Sequence, residues 1–387
     1  METLSKGHFM KRLGLVLLTL ALCLASARVQ GRNSFAVQVF TGVLSGDLNL
    51  AGNNVTIIEG HFDIDGNLIV TQNATLILRN AIVNIVQHKD FEHGIVLTNS
   101  SGGRPTLEVS NTIINSTYKY SIDTYQNSSI SVHDSNFTAQ TPAYGWISLH
   151  DSSSASFQNV TVHGLNSMTK VDYVIIENSS IDILNIYGPA AINYSNITQS
   201  NSYGSGLVLI GECSIAQVQT FDISGQGIQR STVDSVFTYN ESSTGLISCN
   251  YSNCGAYDES RVFVGWYLDV QVIDSIGQMV PYSNITYYDE NKIWLYTVTD
   301  SGGQTTLELA EKIINATGMH NVEDHLVIAT KDGHSNQTTV TMNENKKVTI
   351  RLEGLVIPEF PSTLILPLIM LATLLTVAIY KGKIGYT

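Results

Sequence analysis

One eight-residue phrase recurs six times between Leu76 and Gln199, and it constrains the fold more than any other feature. The phrase is an apolar residue, any residue, a second apolar residue, any residue, then Asn or Asp, with a third apolar residue three positions later. Its copies begin at residues 76, 107, 130, 155, 174 and 192, so loops of variable length separate them. The fifth positions are Asn80, Asn111, Asp134, Asn159, Asn178 and Asn196. In the last copy Gln199 replaces the third apolar residue.

The phrase predicts a short strand followed by a sharp corner. Alternation places the two apolar residues on one face of the strand. Asn and Asp tolerate the left-handed backbone conformation that a tight corner requires. One short strand cannot bury its own apolar face, but stacked coils bury a continuous column while their backbones pair in parallel. We therefore predict an all-β chain with a parallel β-helix, in which the six polar residues form a turn ladder. The alternative is a β-sandwich, whose turns and Greek-key crossings do not keep one Asn in the same register six times.

The repeat extends beyond the six copies in both directions. Short apolar strands at Val55–Ile58, Phe62–Ile64 and Leu68–Val70 place the first coil near residue 35. After Asn196 the sequence follows the phrase less closely, although short predicted strands continue to alternate with turns to about residue 260. Residues 35–260 resemble the right-handed parallel β-helix repeat proteins of archaeal and bacterial surfaces.

Residues 261–354 follow a different pattern, with about seven strands at the spacing of a β-sandwich. The turn motifs are Asp274-Ser-Ile-Gly277, Thr299-Asp-Ser-Gly-Gly303 and Lys331-Asp-Gly333. In this order they resemble the prealbumin-like modules called carboxypeptidase regulatory-like domains. Members of that family usually carry Pro-Gly-Ala where this chain has Pro281-Tyr-Ser283. The resemblance implies a small, non-catalytic β-sandwich that acts as a spacer or stalk.

Both ends of the chain carry export signals. Basic residues precede an apolar run that ends at Ala25-Ser-Ala27, which predicts a signal peptide over residues 1–27. At the other end, residues 355–362 form a linker, the uncharged residues 363–380 are long enough for a transmembrane anchor, and residues 381–387 form a cytoplasmic tail. These features predict a membrane-anchored cell-surface protein whose bulk is extracellular.

A four-residue box, Pro358, Glu359, Phe360 and Pro361, precedes the predicted anchor. It is similar to the PEF-type C-terminal sorting signals of archaeal surface proteins. The resemblance implies that an archaeosortase cuts near the box and transfers the protein to a lipid. Those signals usually end in a tight basic cluster, whereas this tail carries only Lys381 and Lys383, so retention of the helix stays open.

Fifteen Asn residues begin an N-x-S/T sequon, which is an excess over chance and predicts glycosylation. Because a corner Asn in a ladder could not also carry glycan, we expect glycan on other sites. The candidates are Asn54, Asn73, Asn99, Asn115, Asn127, Asn136, Asn240, Asn250, Asn284, Asn315 and Asn336. The excess also has a structural explanation, since β-helix turns favour Asn and strands favour Thr.

Three cysteines lie in the exported part, and no Cys or His spacing typical of a metal site occurs. The pair Cys249 and Cys254 is a candidate disulfide in an oxidising exterior, which would leave Cys213 free and buried.

Charge and residue types bear on the possible partners. The net charge is −13, and without the signal peptide and the segment after Ser362 the chain has 15 basic and 32 acidic residues. This excess of negative charge disfavours nucleic acid and anionic polymers. Only six basic residues lie between 35 and 260, and none is beside an acidic cluster: Arg79, Lys89, Arg104, Lys119, Lys170 and Arg230. Surface-layer components or neutral glycans are more compatible partners.

Catalysis is a competing hypothesis, because many β-helices degrade polysaccharides. The groups that could take part are His61, Asp63 and Asp65, together with the similar segments around His133-Asp134 and His150-Asp151. A lyase needs a calcium-binding carboxylate cluster and a basic residue, and a hydrolase needs two carboxylates at a fixed separation. We therefore expect a non-catalytic structural or adhesive protein without a cofactor, rather than a lyase or a glycoside hydrolase. An adhesin that binds neutral glycans through Tyr118, Tyr120, Tyr144 and Trp146 is the third hypothesis. The alternative for these four rings, which alternate with Ser and Lys, is ordinary packing over the coil.

Overall fold

The computed structural model describes residues 37–99, 102–137, 145–168, 171–289, 292–322, 324–357, 367 and 369–377. The predicted signal peptide, the box at Pro358–Pro361 and the predicted tail lie outside the described residues. The same holds for Tyr144 and for much of the predicted anchor.

The described strands are β1 (Val37–Ser45), β2 (Leu48–Leu50), β3 (Val55–Asp65), β4 (Leu68–Thr71), β5 (Thr75–Ile85), β6 (Gly94–Thr98), β7 (Thr106–Ser110), β8 (Ile113–Ser116), β9 (Tyr120–Thr124), β10 (Ser129–Phe137), β11 (Gly145–Leu149), β12 (Ser154–Ser167), β13 (Tyr173–Glu177), β14 (Ser180–Ile186), β15 (Ala190–Asn193), β16 (Asn196–Ser202), β17 (Leu207–Gly211), β18 (Ser214–Thr220), β19 (Gly225–Gln229), β20 (Thr232–Thr238), β21 (Ser243–Ile247), β22 (Asn250–Ala256), β23 (Arg261–Ile273), β24 (Asn284–Asp289), β25 (Lys292–Val298), β26 (Gln304–Asn315), β27 (Gly318–Asn321), β28 (His325–Lys331), β29 (His334–Val340) and β30 (Lys346–Arg351).

Each turn of the first unit contributes strands to three parallel stacks. The first face contains the starts of β1, β3 and β5, then β7 and the starts of β10 and β12, and then β13, β15, β17, β19, β21 and β23. The second face begins with the ends of β1, β3 and β5 and with β8, and the third begins with β2, β4, β6, β9 and β11. From β12 onward, one bent strand per turn serves both the second and the third face. The prediction of a parallel β-helix is confirmed, and the solenoid has about 11 turns.

The length of a turn changes along the solenoid. On the first face, Leu76 pairs with Leu107, and the equivalent residues of the next turns are at positions 130, 155 and 174. The next equivalents lie at 190, 208, 226, 244 and 262, so the late turns have a constant step of 18 residues. The chain therefore becomes most regular in the region where the sequence phrase loosens.

The core of the solenoid is a continuous column of inward apolar side chains. Alternation on each strand explains it: Leu76 and Leu78 of β5 are fully buried, while Arg79 and Asn80 are exposed. One column runs from Leu50 to Ile314 without division, because each turn covers the apolar face of the turn before it.

The second unit consists of two sheets over one core. One sheet contains β26 and β30 on either side of β23, and the other has the order β25-β24-β28-β29. Val270 of β23, Ile285 of β24 and Val327 of β28 meet in this core. The turns predicted from the Asp-Ser motifs form: Asp274 Oδ1 accepts from the backbone N of Ile276 at 3.0 Å and of Gln278 at 2.8 Å.

The two units share a strand, and the predicted linker begins inside the second unit. The first residues of β23 pair with β21 of the solenoid, and its last residues pair with β30. Leu355 and Ile357 pack against the second core, and Ile357 N donates to Asp274 Oδ2 at 2.9 Å. The second unit therefore extends to the end of the described segment at 357, beyond the predicted boundary at 354.

Residues 369–377 are helical. Within the part of the chain that the structure describes, no helix has the length and apolar character needed to cross a membrane.

Candidate functional site: the corners of the solenoid

The corner between the first and second faces, here called the first corner, carries one left-handed residue per turn. In five successive turns this residue is Asn80, Asn111, Asp134, Asn159 or Asn178, with φ between 46° and 54°. Side chains of adjacent turns bond to each other: Asn159 Nδ2 donates to Asp134 Oδ1 at 2.7 Å. This hydrogen bond, with a smaller contribution from His133, lowers the pKa of the Asp134 carboxyl.

The sixth predicted ladder position, Asn196, does not lie at the first corner. Ile176 pairs with Ile192, which places Tyr194 at the corner with φ 52°. Asn196 lies on the second face, opposite Ser180. The sixth copy of the phrase therefore begins at Ala190, two residues before the predicted start at Ile192. The pattern misplaces it because Tyr194 occupies the position where Asn or Asp is expected.

The late turns keep the corner but change its residues. Tyr194, Glu212, Arg230 and Ser248 have φ between 48° and 55°. The backbone N of Glu212 donates to Gln229 O at 3.0 Å, as Asn178 N donates to Asn193 O at 3.1 Å. The corner is thus closed by main-chain hydrogen bonds between turns, whatever side chain it carries.

A column of small inward side chains lies directly after the first corner, and the sequence analysis missed it. Its members are Thr112, Ser135, Ser179, Ser195, Cys213, Ser231 and Cys249. Ser195 Oγ, for example, donates to Asn193 O at 2.8 Å and accepts from Ser179 N at 3.1 Å. Cys213 Sγ takes the same place, accepting from Ser195 N at 3.3 Å. These contacts satisfy backbone donors that the corner leaves without a ladder partner.

Stacked rings line the corner at the end of the third face, here called the third corner. The column contains Tyr187, Tyr203, Phe221, Tyr239 and Tyr257, with centroids 4.8 to 5.1 Å apart and planes within 17° of parallel. Because each ring covers its neighbour, the ring faces inside the column are occupied. This column therefore packs the corner and does not offer an open aromatic platform.

A groove of about 510 Å³ lies beside the first corner in the late turns, and we call it the corner groove. Its lining residues are Tyr194, Glu212 and Arg230 from the corner, Asn196, Ser214 and Thr232 from the second face, and Ser195 and Cys213 at its base. Arg230 Nη1 lies 3.8 Å from Glu212 Oε1, and both side chains remain substantially exposed. The guanidinium of Arg230 also lies 5.1 Å from the centroid of the Tyr267 ring in β23.

Of the residues considered for catalysis, His61 and Asp63 contact each other, whereas Asp65 has a different partner. Asn84 Nδ2 bonds to Asp63 Oδ1 at 2.6 Å, and His61 Nε2 lies 3.0 Å from the same oxygen. Asp65 instead pairs with His93, at 3.4 Å. Over the described ranges, no group of three or more His, Cys, Asp or Glu side chains is arranged to hold a metal ion.

The two similar His-Asp segments occupy different corners. His133 precedes the first corner and pairs with Asp134 at 3.2 Å. His150 follows the third face, where its ring stacks on Tyr125 with centroids 4.5 Å apart. Their sequence similarity therefore reflects the same strand-to-corner transition at two places, and it does not bring the two histidines together.

Of the aromatic residues predicted to contact neutral glycans, the three that the structure describes do not form one surface. Tyr120 is fully buried, and its hydroxyl donates to Ile114 O at 3.2 Å, so this ring packs inside the coil and offers no face to a sugar. It opens β9 with an inward side chain. Tyr118 is 41% exposed. Trp146 lies over Gly164 and meets His163 edge to face at a centroid distance of 5.6 Å.

The predicted bridge between Cys249 and Cys254 does not form, since both are free thiols, as is Cys213. Cys249 follows the first corner, and its Sγ donates to Ile228 O at 3.3 Å. Cys254 lies on the third face opposite Val236. The second face separates the two thiols, which the short sequence spacing could not reveal.

The sequons fall into several environments. Asn54, Asn73, Asn127, Asn240, Asn250 and Asn284 are exposed. Asn115, Asn136, Asn315 and Asn336 are half-buried. Asn99 is 8% exposed, and its side-chain oxygen accepts from Gly103 N at 2.8 Å, which leaves little room for a glycan in the folded protein. Corner geometry also generates one sequon, because the inward Ser195 directly after the Tyr194 corner completes Asn193-Tyr-Ser195.

No model of a known protein family matches this sequence. A comparison with curated proteins likewise gives no match.

Proposed function

We propose that this chain is an exported, C-terminally anchored surface protein in which the solenoid and the two-sheet unit form one rigid structural or adhesive rod. The observation that carries the proposal is β23, which is hydrogen-bonded to both units. A continuous strand prevents the free rotation that a flexible linker between domains would allow.

Side-chain contacts across the junction support the same role. Asn345 Nδ2 donates to Ser248 Oγ at 2.8 Å, while Asn345 Oδ1 accepts from Tyr267 N at 2.9 Å. Gln229 of the solenoid donates to Glu308 of β26 at 3.2 Å. A solenoid of about 11 turns, with roughly 4.8 Å per turn, holds its far end about 50 Å from this junction.

The proposed location at the membrane is argued from the sequence. The signal peptide, the sorting box and the uncharged C-terminal segment together support export followed by anchoring. In this proposal the two-sheet unit is a prealbumin-like stalk next to the membrane, and the solenoid extends outward. Exposed sequon residues such as Asn54 and Asn127 carry the glycan.

Protease treatment of intact host cells tests the location. We expect the treatment to release peptides of the solenoid, while the C-terminal segment stays with the membrane fraction or is replaced by a lipid. Mass spectrometry of the mature C-terminus distinguishes a retained helix from cleavage at the Pro358–Pro361 box. Recovery of the full chain only from the cell interior would overturn the proposal.

The non-catalytic part of the proposal needs its own measurement. The full chain is incubated with neutral and acidic polysaccharides, with and without calcium, and new reducing or unsaturated ends are counted. We expect none above the background without protein. Cleavage that persists in several independent preparations would replace the structural role with an enzymatic one.

A further inference from the structure

We propose that the corner groove is a binding site for uncharged carbohydrate, with Tyr194, Glu212 and Arg230 as its contact residues. This inference goes beyond the proposed structural role and does not depend on the membrane anchor. It rests on the backbone conformation of these three residues and on the chemistry of the groove that they line.

The turns that line the corner groove carry a different type of residue at the first corner from the early turns. Five turns use Asn or Asp at the first corner, which are the non-glycine residues that best tolerate a left-handed backbone. Tyr194, Glu212 and Arg230 adopt the same φ of 48° to 54° with long side chains that this conformation disfavours. Unfavourable residues at consecutive corners are expected where the side chains serve another purpose.

The backbone hydrogen bonds that close these corners do not involve the corner side chains. Tyr194 N donates to Gly211 O at 3.1 Å and Arg230 N to Ile247 O at 3.0 Å, so the main chain closes each corner. Ser195, Cys213 and Ser231 supply the inward hydrogen bonds. The corner side chains project from a rigid support at the spacing of the turns, about 4.8 Å.

The groups exposed in the corner groove match a polyhydroxylated ligand. Glu212 accepts hydrogen bonds from hydroxyl groups, and Arg230 donates to them. Tyr194 is 58% exposed and offers an apolar ring face beside these charges. The second face adds the amide of Asn196 and the hydroxyl groups of Ser214 and Thr232, which are neighbours in adjacent turns. A sugar ring has the same combination of hydroxyl groups and an apolar face.

Charge favours a neutral ligand over a charged one. Arg230 Nη1 and Glu212 Oε1 lie 3.8 Å apart, so Arg230 repels a cationic ligand and Glu212 repels an anionic one. The net charge of −13 further opposes an acidic polymer. Arg230 is positioned by the Tyr267 ring at the junction between the units, which is a common place for a ligand site. The volume of about 510 Å³ is in the range of small-ligand sites.

Binding of defined oligosaccharides to the full chain tests the proposal. The probes are cellohexaose, maltohexaose, mannohexaose and xylohexaose, with hexagalacturonate as the charged comparison, and binding is measured by calorimetry. We expect at least one neutral hexasaccharide to bind and the uronate to bind at least tenfold more weakly. Absence of binding by all four neutral probes overturns the proposal.

Glycine variants at the first corner test whether its side chains form the binding site. Tyr194→Gly, Glu212→Gly and Arg230→Gly keep a left-handed corner, and glycine avoids the new N-x-S/T sequons that Asn would create at 212 and 230. Each variant should weaken binding at least tenfold with little change in Tm. Ser248→Gly, at the next corner and outside the groove, should leave affinity unchanged.

The two measurements together separate a binding role from a structural one. Loss of binding with an unchanged Tm supports the proposal. Binding that survives in the triple variant places the ligand elsewhere and overturns it. A large fall in Tm in the glycine variants shows that the side chains stabilise the corner, and this also overturns the argument from backbone conformation.

Discussion

The early and late turns of the solenoid reach the same geometry by different means. In the early turns the length varies and the first corner carries Asn or Asp. In the late turns the length is constant at 18 residues, while the corner carries Tyr, Glu, Arg or Ser. Both sets of turns pair in parallel, although the register of the first turns shifts between the first and second faces, at Phe40/Gly42 of β1 and at Ile58/Gly60 of β3.

The difference shows that two kinds of constraint can specify a β-solenoid. Where loops vary, a corner side chain that favours the left-handed conformation marks the place where the chain must turn. In the late turns, where the number of residues per turn is fixed, the repeated residues of the third corner mark the place where the chain must turn. Phe221, Tyr239 and Tyr257 recur at intervals of 18, each followed three residues later by a buried Ser.

The largest expected effect is on turn length. Insertion of one glycine between Asn240 and Glu241 should destabilise the local turn by about 3 kcal/mol, since it displaces the buried Ser242 and disturbs ring stacking. The same insertion after Gly102, in an early loop, should cost only about 1 kcal/mol, because it disturbs the hydrogen bond between Gly103 N and Asn99 but loop closure itself depends weakly on length. Hydrogen exchange of the neighbouring strands measures each local opening, and equal losses at both places would contradict a length constraint on the late turns.

The second effect concerns the buried Ser at the third corner. Ser242 Oγ lies 2.9 Å from Thr220 O and 2.7 Å from Tyr239 O, so Ser242→Ala should cost about 1 to 2 kcal/mol. Ser153 is equally buried at the same corner of an early turn, but its Oγ has no hydrogen-bond partner among the described residues. We expect Ser153→Ala to be within about 0.5 kcal/mol of neutral. Urea unfolding compares the two, and similar losses would show that this hydroxyl does not distinguish the turns.

The third effect concerns the first corner itself. Asn111→Leu should cost about 1 to 3 kcal/mol, because Leu strains the left-handed backbone and removes the contact to Asn80. Glu212→Leu should cost less than about 0.5 kcal/mol, since a long side chain already occupies that corner and its exposed ion pair contributes little. The free energies of unfolding of both variants test this ordering. If Glu212→Leu proved the more costly, main-chain closure of the late corners would be refuted.

The sequence predicted the fold where side-chain identity carries the constraint. The Asn and Asp residues identified the early corners because these two residue types best tolerate the left-handed conformation among non-glycine residues. The pattern failed at Tyr194, since a corner closed by the main chain tolerates a residue that no propensity rule selects. The available signal was the spacing of Tyr203, Phe221, Tyr239 and Tyr257, together with Ser or Cys after each late corner.

The candidate site was beyond sequence reasoning for a different reason. Tyr194, Glu212 and Arg230 are 18 residues apart and become neighbours only when three turns stack in register. The apparent proximity of Cys249 and Cys254 was misleading in the opposite way, because five residues here traverse a whole face. Distance along the chain is therefore a poor guide to distance in space within a solenoid, unless the turn length is known.

The smallest effect concerns pH, and it compares cysteine with serine in the inward column. Burial raises the pKa of the Cys213 and Cys249 thiols, and it raises the pKa of the Cys254 thiol to about 11. Because the thiol pKa is raised in the folded protein, the thiol stays protonated there at a pH near 9, where the thiol of the unfolded chain ionises. The free energy of unfolding is therefore not reduced by these thiols below pH 9, and it falls as the pH rises above 9. In Cys213→Ser/Cys249→Ser, which reproduces the residue found at Ser195 and Ser231, this alkaline loss should be smaller, while stability at pH 7.5 should change little. Urea unfolding of both proteins at pH 7.5 and pH 10 measures the difference. An equal loss in the two proteins would mean that these thiols ionise as readily in the folded column as in the unfolded chain.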